Sequence, residues 1–179
     1  LVRSRGLGDV YKRQELEVSE TSYSAFKAAI ERLKDGEPIQ YIIGHGWFYG
    51  RKFTVNHSTL IPRGETEELV RLVLKNISQP QASILDVGTG TGCIAITLQL
   101  ERPEWQVLGT DISTTALQTA HDNAYQLQAN VEFFKSNALE MTDALPSNFN
   151  GKLDVVVSNP PYVMAVSYTH LTLPTNREV

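Results

Sequence analysis

Apolar positions recur along this chain with two different periods, and the periods change at glycine and proline. Over 20–35, ETSYSAFKAAIERLKD, the residues Tyr23, Phe26, Ile30 and Leu33 stand at helical spacing, and Gly36 and Pro38 end the predicted helix. The next run, GEPIQYIIGHGWFYGRKFTVN, changes rhythm. Trp47 alternates with Tyr49 and Phe53 with Val55, with Gly50 between them, which predicts a β-hairpin. TLIPRG (59–64) reads as a loop held by Pro62. Thr66 is the expected cap of a following helix whose Leu69, Val70, Val73, Leu74 and Ile77 share one face, and Gln79-Pro80 breaks it.

From residue 83 strands and helices alternate. SILDVG (83–88), QVLGTD (106–111), VEFF (131–134) and LDVVVS (153–158) are the predicted strands. CIAITLQL (93–100) is the helix between the first two. Ser113 caps another, with Ala116, Leu117, Ala120, Ala124 and Leu127 inward. The unbroken apolar run at 153–158 suits a strand buried on both faces. Alternating β and α with short connections predicts an α/β fold, a doubly wound and mainly parallel sheet preceded by a helix and a hairpin.

Composition adds exclusions. The chain has 179 residues and a net charge of −4, with one cysteine, Cys93, which rules out an internal disulfide and a cysteine-cluster zinc site. No metal site is expected. No apolar run reaches the roughly 18 residues that span a bilayer. His45, His57 and His121 have no partner at ligand spacing and read as surface or packing residues.

The charge is uneven. Residues 1–14, LVRSRGLGDVYKRQ, carry +3, whereas 15–165 hold 11 basic and 18 acidic residues, a net of −7. Residues 1–14 and 166–179 resemble adapter DNA translated at the edges of shotgun gene assemblies, and both are expected to be non-native extensions. The acidity of 15–165 argues against a nucleic-acid partner.

Two segments carry chemistry. Asp86-Val87-Gly88-Thr89-Gly90-Thr91-Gly92 joins a strand to a helix. Glycines let the backbone turn tightly and approach a ligand, and helix-start N–H groups favour an anion. Asp111, at the end of the second strand, is placed to accept from both hydroxyls of a ribose. This predicts a nucleoside cofactor. The pattern alone does not choose between a nicotinamide dinucleotide and S-adenosylmethionine, but an acidic residue before the first glycine and a G-T-G-T-G loop lean to the latter. Asn137 would read the adenine edge and Ala138 would form part of its apolar wall.

The second segment is Ser158-Asn159-Pro160-Pro161-Tyr162, ending the fourth strand of the series. Two prolines fix φ and remove two donors. What remains is a rigid pair of acceptors, the Asn159 side-chain oxygen and the Pro160 carbonyl, suited to a planar NH₂ group with Tyr162 against its plane. This arrangement suits methyl transfer to an amide or amino nitrogen. Such a nitrogen needs orientation more than it needs a base.

At these residues the sequence resembles the peptide chain release factor glutamine N5-methyltransferases, also called HemK or PrmC. The matching stretches are PIQYIIG (38–44), Phe48 to Val55, LIPRGETEELV (60–70), ILDVGTGTGCIAI (84–96), Asp111 and SNPPYV (158–163). The resemblance implies a Rossmann-like methyltransferase fold in which Asp86, Gly88, Thr89, Gly90, Thr91, Gly92, Asp111, Asn137, Ala138 and Asn159 hold S-adenosyl-L-methionine. Asn159, Pro160, Pro161 and Tyr162 would bind the substrate glutamine, with Asn159, Pro160 and Tyr162 catalytic. The implied partner is the Gly-Gly-Gln loop of class 1 release factors, and the implied protein is a cytoplasmic monomer.

The implied domains are 15–37, the end of an N-terminal helical domain, then 38–58, a hairpin linker, and 59–165, a methyltransferase domain. That domain is expected to stop after its fourth strand, so this chain alone is expected to be unstable or inactive. Gly64 departs from the family's second proline in I-P-R-P-E-T-E, and Ala138 replaces an aromatic found in some members. Rival readings are a ribosomal-protein glutamine methyltransferase, a DNA or RNA amino-methyltransferase, and a non-catalytic binding module. The E-T-E of 65–67 leans to the release-factor branch.

Overall fold

The computed structural model describes residues 18–138, 145–146, 149 and 152–160. The chain divides into two compact units, Leu1–Ile43 and Gly44–Val179. In the first, helix α1 spans Glu20–Lys34, and Ser19 caps it by accepting from the Ser22 N–H. Its predicted apolar stripe is present but uncovered among the described residues. No residue of α1 is buried, and Tyr23 and Phe26 are more than half exposed. A short helix α2, Ile39–Ile43, follows.

The hairpin belongs to the second unit. It pairs β1 (His45–Phe48) with β2 (Arg51–Thr54), antiparallel, with Phe48 opposite Arg51. The expected alternation holds on the second run, where Phe53 and Val55 are both buried, and is shifted by one on the first. Phe48 and Phe53 point inward, their rings 6.1 Å apart and edge-on, while Trp47 is 67% exposed. Tyr49 sits in the turn with a positive φ of 50°. A one-residue shift moves every side chain to the other face. The hairpin, expected as a linker, shares the core of the sheet unit, because both phenylalanines are buried there.

Helix α3 spans Gly64–Asn76, and Val70 and Val73 bury its predicted face. Its start corrects the expectation for Thr66. Arg63 occupies the cap position without a side-chain bond, and Thr66 lies inside the first turn, buried. The helix begins two residues before Thr66, so its hydroxyl is left for another partner.

The strands β3 (Ser83–Val87), β4 (Gln106–Asp111), β5 (Val131–Lys135) and β6 (Val155–Ser158) form one parallel sheet in the order β5-β4-β3-β6. Helix α4 (Cys93–Glu101) packs on β3 and β4, and α5 (Thr114–Leu127) on β4, β5 and β2. Ser113 caps α5 as expected, accepting from the Ala116 N–H at 3.2 Å. Every residue of α4 from Cys93 to Gln99 is buried, which explains its lack of a polar face. Alternate strand residues serve two cores: Ile84, Val107 and Phe133 face the helices, and Leu85 and Leu108 join Phe149 on the opposite face. The expectation that β6 is buried on both faces is corrected: Val157 is buried but Val156 is 58% exposed, and β6 is an edge strand among the described residues. No helix among the described residues is long and apolar enough to cross a membrane.

Candidate active site

The strand order decides where the two motif segments meet. The chain runs outward from β3 through β4 to β5, then returns to the other side of β3 as β6. Loops leaving the carboxyl ends of β3 and β6 therefore flank the point where the order reverses, the usual crevice of such sheets. Val87 pairs with Ser158 in register, so Gly88 and Asn159 are the next residues on neighbouring strands.

The glycine loop is tied mostly to itself and to β4. The N–H groups of Gly88 and Thr89 donate to the Thr110 carbonyl at 2.8 and 2.9 Å, and that of Gly92 to the Thr89 carbonyl at 2.8 Å. The Gly90 N–H donates to Asp111 Oδ2 at 3.0 Å. Four of the loop's own amides are thus used to close the turn, and the helix-start amides expected to favour an anion follow them, from Cys93 on. The glycines instead provide space. Gly88 and Gly90 have positive φ, and among the described residues a Cβ added at either would meet no atom closer than 4.0 Å, so these residues leave a face without side chains above the turn. Gly92 has a different role. A Cβ there would lie 2.8 Å from Ile96 Cδ1 and 3.2 Å from both Ala120 Cβ and Phe133 Cζ, so its lack of a side chain lets α4 dock on the sheet.

Asp86 lies beneath this loop, fully buried. Its Oδ2 accepts from Thr89 Oγ1 at 2.7 Å and from the Ala95 N–H at 3.3 Å, while Oδ1 has no partner among the described residues. Burial pushes its carboxyl up to about 6, opposed by the bonds from Thr89 and Ala95. Asp111 is half-buried. Its Oδ1 accepts from the Ser113 N–H at 2.9 Å while Oδ2 holds Gly90, and each carboxylate oxygen keeps a further lone pair for a ligand hydroxyl.

The Ser136 N–H donates to the Asp111 carbonyl at 3.2 Å, which brings the β5 end, with half-buried Asn137 and exposed Ala138, beside Asp111. The Cys93 thiol is pushed up to about 12 by burial, so it packs as a neutral group. His121 stacks edge-on against Phe133, 5.1 Å between ring centroids, in keeping with a packing role. No group of three or more His, Cys, Asp or Glu that could hold a metal ion occurs among the described residues.

Asn159 is half-buried. Its Nδ2 donates to Thr66 Oγ1 at 2.9 Å, across 93 residues of sequence. Pro160 is exposed, and Pro161 and Tyr162 lie outside the described residues.

The residue after Thr66 belongs to the same structure. Glu67 Oε1 accepts from the Tyr49 N–H at 2.8 Å and Oε2 from Arg71 at 2.7 Å, which pins the first turn of α3 to the hairpin turn. A second tie comes from Asn123, fully buried on α5. Its Oδ1 accepts from the Thr54 N–H at 2.7 Å, and its Nδ2 donates to the Thr54 carbonyl at 3.0 Å and the Thr91 carbonyl at 2.9 Å. Asn123 thus joins the hairpin to the glycine loop. Sequence reasoning passed over it, although an asparagine three residues after Ala120 on the inward stripe of α5 was a readable signal. Nothing in the sequence pointed to the Thr66–Asn159 pair.

A parallel sheet with this strand order, a glycine turn open at the reversal point and an acid ending the next strand defines the doubly wound class of α/β proteins that bind nucleoside cofactors. The model of the methyltransferase small domain matches residues 55–173, and the chain belongs to that family. The model of the PrmC N-terminal domain matches residues 5–44.

The resemblance drawn from the motifs stands at the level of whole sequences. The chain is 45% identical over 152 residues to the release factor glutamine methyltransferase of Bacillus subtilis (strain 168), covering 82% of this chain and 51% of that protein. It is 48% identical over 133 residues to the protein of the same name from Neisseria gonorrhoeae, covering 74% and 47%. The chain spans about half the length of these relatives. Among solved structures, the tRNA (uracil-54, C5)-methyltransferase of Pyrococcus abyssi in complex with S-adenosyl-L-homocysteine aligns with a TM-score of 0.51 at 20% identity, over 65% of this chain and 28% of that one. That likeness is one of fold.

Proposed function

We propose that the protein transfers a methyl group from S-adenosyl-L-methionine to N5 of a glutamine side chain, in the Gly-Gly-Gln loop of peptide chain release factors. The observation that carries this reading is the placement of Asn159 one residue past the end of β6, beside Gly88, with its amide nitrogen already engaged by Thr66. Nδ2 is engaged by Thr66, and an amide oxygen carries two lone pairs, so Oδ1 is the atom that can accept a substrate N–H. The names of the relatives, at 42–48% identity, supply the substrate class.

The residues present fit the cofactor. Among the described residues the face above Gly88 and Gly90 is clear of side chains, and the spare Oδ1 of Asp86 lies beneath the turn. Gly88, Thr89, Gly90, Thr91 and Gly92 would line the methionine side, Asp111 the ribose, and Asn137 with Ala138 the adenine. When bound, the cofactor supplies a methyl group activated on a sulfonium, so the chain needs no strong base.

The chain's own task is orientation. An amide nitrogen is a poor nucleophile because its lone pair is delocalised into the carbonyl. Asn159 Oδ1 and the Pro160 carbonyl would each accept one N–H of the substrate amide, which aims the nitrogen lone pair toward the donor side and favours charge build-up on nitrogen, and the proton given up as the N–C bond forms passes to solvent. Alignment of this kind is worth up to about 7–11 kcal/mol in well-oriented reactions.

The test incubates the complete gene product with labelled S-adenosylmethionine and, separately, a class 1 release factor, ribosomal protein and DNA. The methyl is then located by mass spectrometry. Label on the Gly-Gly-Gln glutamine is the expected result. Label on DNA or ribosomal protein and none on that glutamine would overturn the reading.

A further inference from the structure

Thr66 entered the sequence reading as a helix cap and is not one. Its side chain is buried within the first turn of α3, and its hydroxyl accepts from Asn159 Nδ2 at 2.9 Å. A helix interior is an ordinary place for threonine, but this hydroxyl meets the side chain that follows a strand end 93 residues away. The turn that carries it is held from the other side. Its N–H donates to the Arg63 carbonyl at 3.1 Å, and its neighbour Glu67 ties the same turn to the Tyr49 N–H and to Arg71.

We infer that Thr66 is a positioning residue for the methyl transfer, holding the Asn159 carboxamide in place at the end of β6. The inference deepens the proposed function and rests on the reading of Asn159 as the acceptor. A carboxamide tied at 2.9 Å to the Thr66 hydroxyl has less room to turn or shift than one without that contact, and a displaced carboxamide would leave the substrate nitrogen with one orienting bond fewer.

The same geometry gives a purpose to the tie between hairpin and helix. Glu67 fixes the turn, the turn fixes Thr66, and Thr66 fixes Asn159. None of these contacts includes a residue of the glycine loop or Asp111, so their effects are expected on the rate of the chemical step more than on the cofactor's affinity.

The experiment uses the complete gene product, a class 1 release factor as substrate, and the variants Thr66→Val, Thr66→Ser and Asn159→Ala. Thr66→Val keeps the shape and removes the hydroxyl. It is expected to lower kcat by about 10- to 100-fold, the scale of a small misplacement of a reacting group. Its calorimetric Kd for S-adenosylmethionine is expected to stay within about twofold of the parent. Thr66→Ser restores the hydroxyl and is expected to recover kcat to within about threefold.

A valine variant with the parent's kcat, or a serine variant as slow as the valine one, overturns the inference. So does a fall in kcat accompanied by an equal loss of cofactor affinity, which would mark a general structural role. If the valine variant does not fold, Thr66→Ala, which adds no bulk, carries the same comparison. Asn159→Ala separates the two levels. If it is inactive while Thr66→Val is normal, only the positioning role fails; if it is fully active, the reading of Asn159 fails.

Discussion

The two loops that meet at the reversal of the sheet are held in opposite ways. The glycine loop is tied over short and middle distances along the chain. Asp86 reaches Thr89 and Ala95, 3 and 9 residues on, and Gly90 reaches Asp111, 21 residues on. Asn159 is held by Thr66, 93 residues earlier in the chain. A locally tied loop announces itself in sequence, because its glycines, its acid and its helix start stand close together. A loop tied across the fold shows only its own residues, and its support is visible only after folding. The comparison also separates two kinds of failure. Damage to the glycine loop is expected to reach the core beneath it, whereas on the proposed function damage to the Asn159 contact is expected to reach the chemistry.

The largest effect expected is on chemistry. On the proposed function, Asn159→Ala would remove a preorganised partner of the reacting group and is expected to cut methyl transfer by about 10²- to 10³-fold. Calorimetry is expected to show cofactor affinity close to that of the parent. An equal loss of both would mean that the two loops are one unit and would break the comparison.

Asn123→Ala probes the tie between hairpin and glycine loop. It deletes three bonds and leaves Thr54 N–H, Thr54 O and Thr91 O unpaired in a buried place. The expected cost is about 2–4 kcal/mol, read from denaturant unfolding. A change under about 0.5 kcal/mol, the size typical of surface substitutions, would mean that water replaces the amide there without loss.

The buried acid beneath the loop predicts a pH dependence. The folded pKa of Asp86 is raised from 3.8 to about 6, so the folded state holds its proton more tightly than the unfolded chain does. The stabilisation is fully present below about 3.8 and is lost as the pH rises through about 6. Over that window it amounts to roughly 3 kcal/mol. Thermal melts of the parent and of Asp86→Asn across pH 4–7 measure the difference, and the asparagine variant is expected to lack this component. Identical slopes for the two proteins would count against a buried, proton-binding Asp86.

The smallest pair of effects sharpens the roles of the glycines. Gly92→Ala meets Ile96, Ala120 and Phe133 as well as a positive φ, and is expected to destabilise by about 1–3 kcal/mol beyond backbone strain. Gly88→Ala meets only the strain, about 1–2 kcal/mol, and its Cβ would stand in the open face above the turn. Gly88→Ala is therefore expected to weaken cofactor binding more than it lowers the melting midpoint, and Gly92→Ala to do the reverse. The opposite pattern would exchange the two roles.

Sequence alone determined the alternation of strands and helices, the parallel sheet, the glycine turn with its acid, and the rigid Asn-Pro strand end. These follow from periodicity, from the conformational freedom of glycine and from the fixed φ of proline, all of which act over a few residues. It placed Phe53 and Val55 correctly but misplaced the inward position of the hairpin's first strand by one residue, and the role of Thr66 by one turn. In both cases tertiary packing chose among locally equal alternatives. Phe48 and Phe53 fill the core where Trp47 and Tyr49 alternate just as well in sequence, and a threonine near a helix start serves equally as a cap or as a partner.

Only the tertiary structure decided that β6 returns beside β3, that Gly88 and Asn159 therefore stand next to each other, and that Asn123 joins hairpin to glycine loop. Strand order and long-range hydrogen bonds are set by which buried surfaces and polar groups can be satisfied together. That condition belongs to the whole fold and leaves no mark within a short stretch of chain.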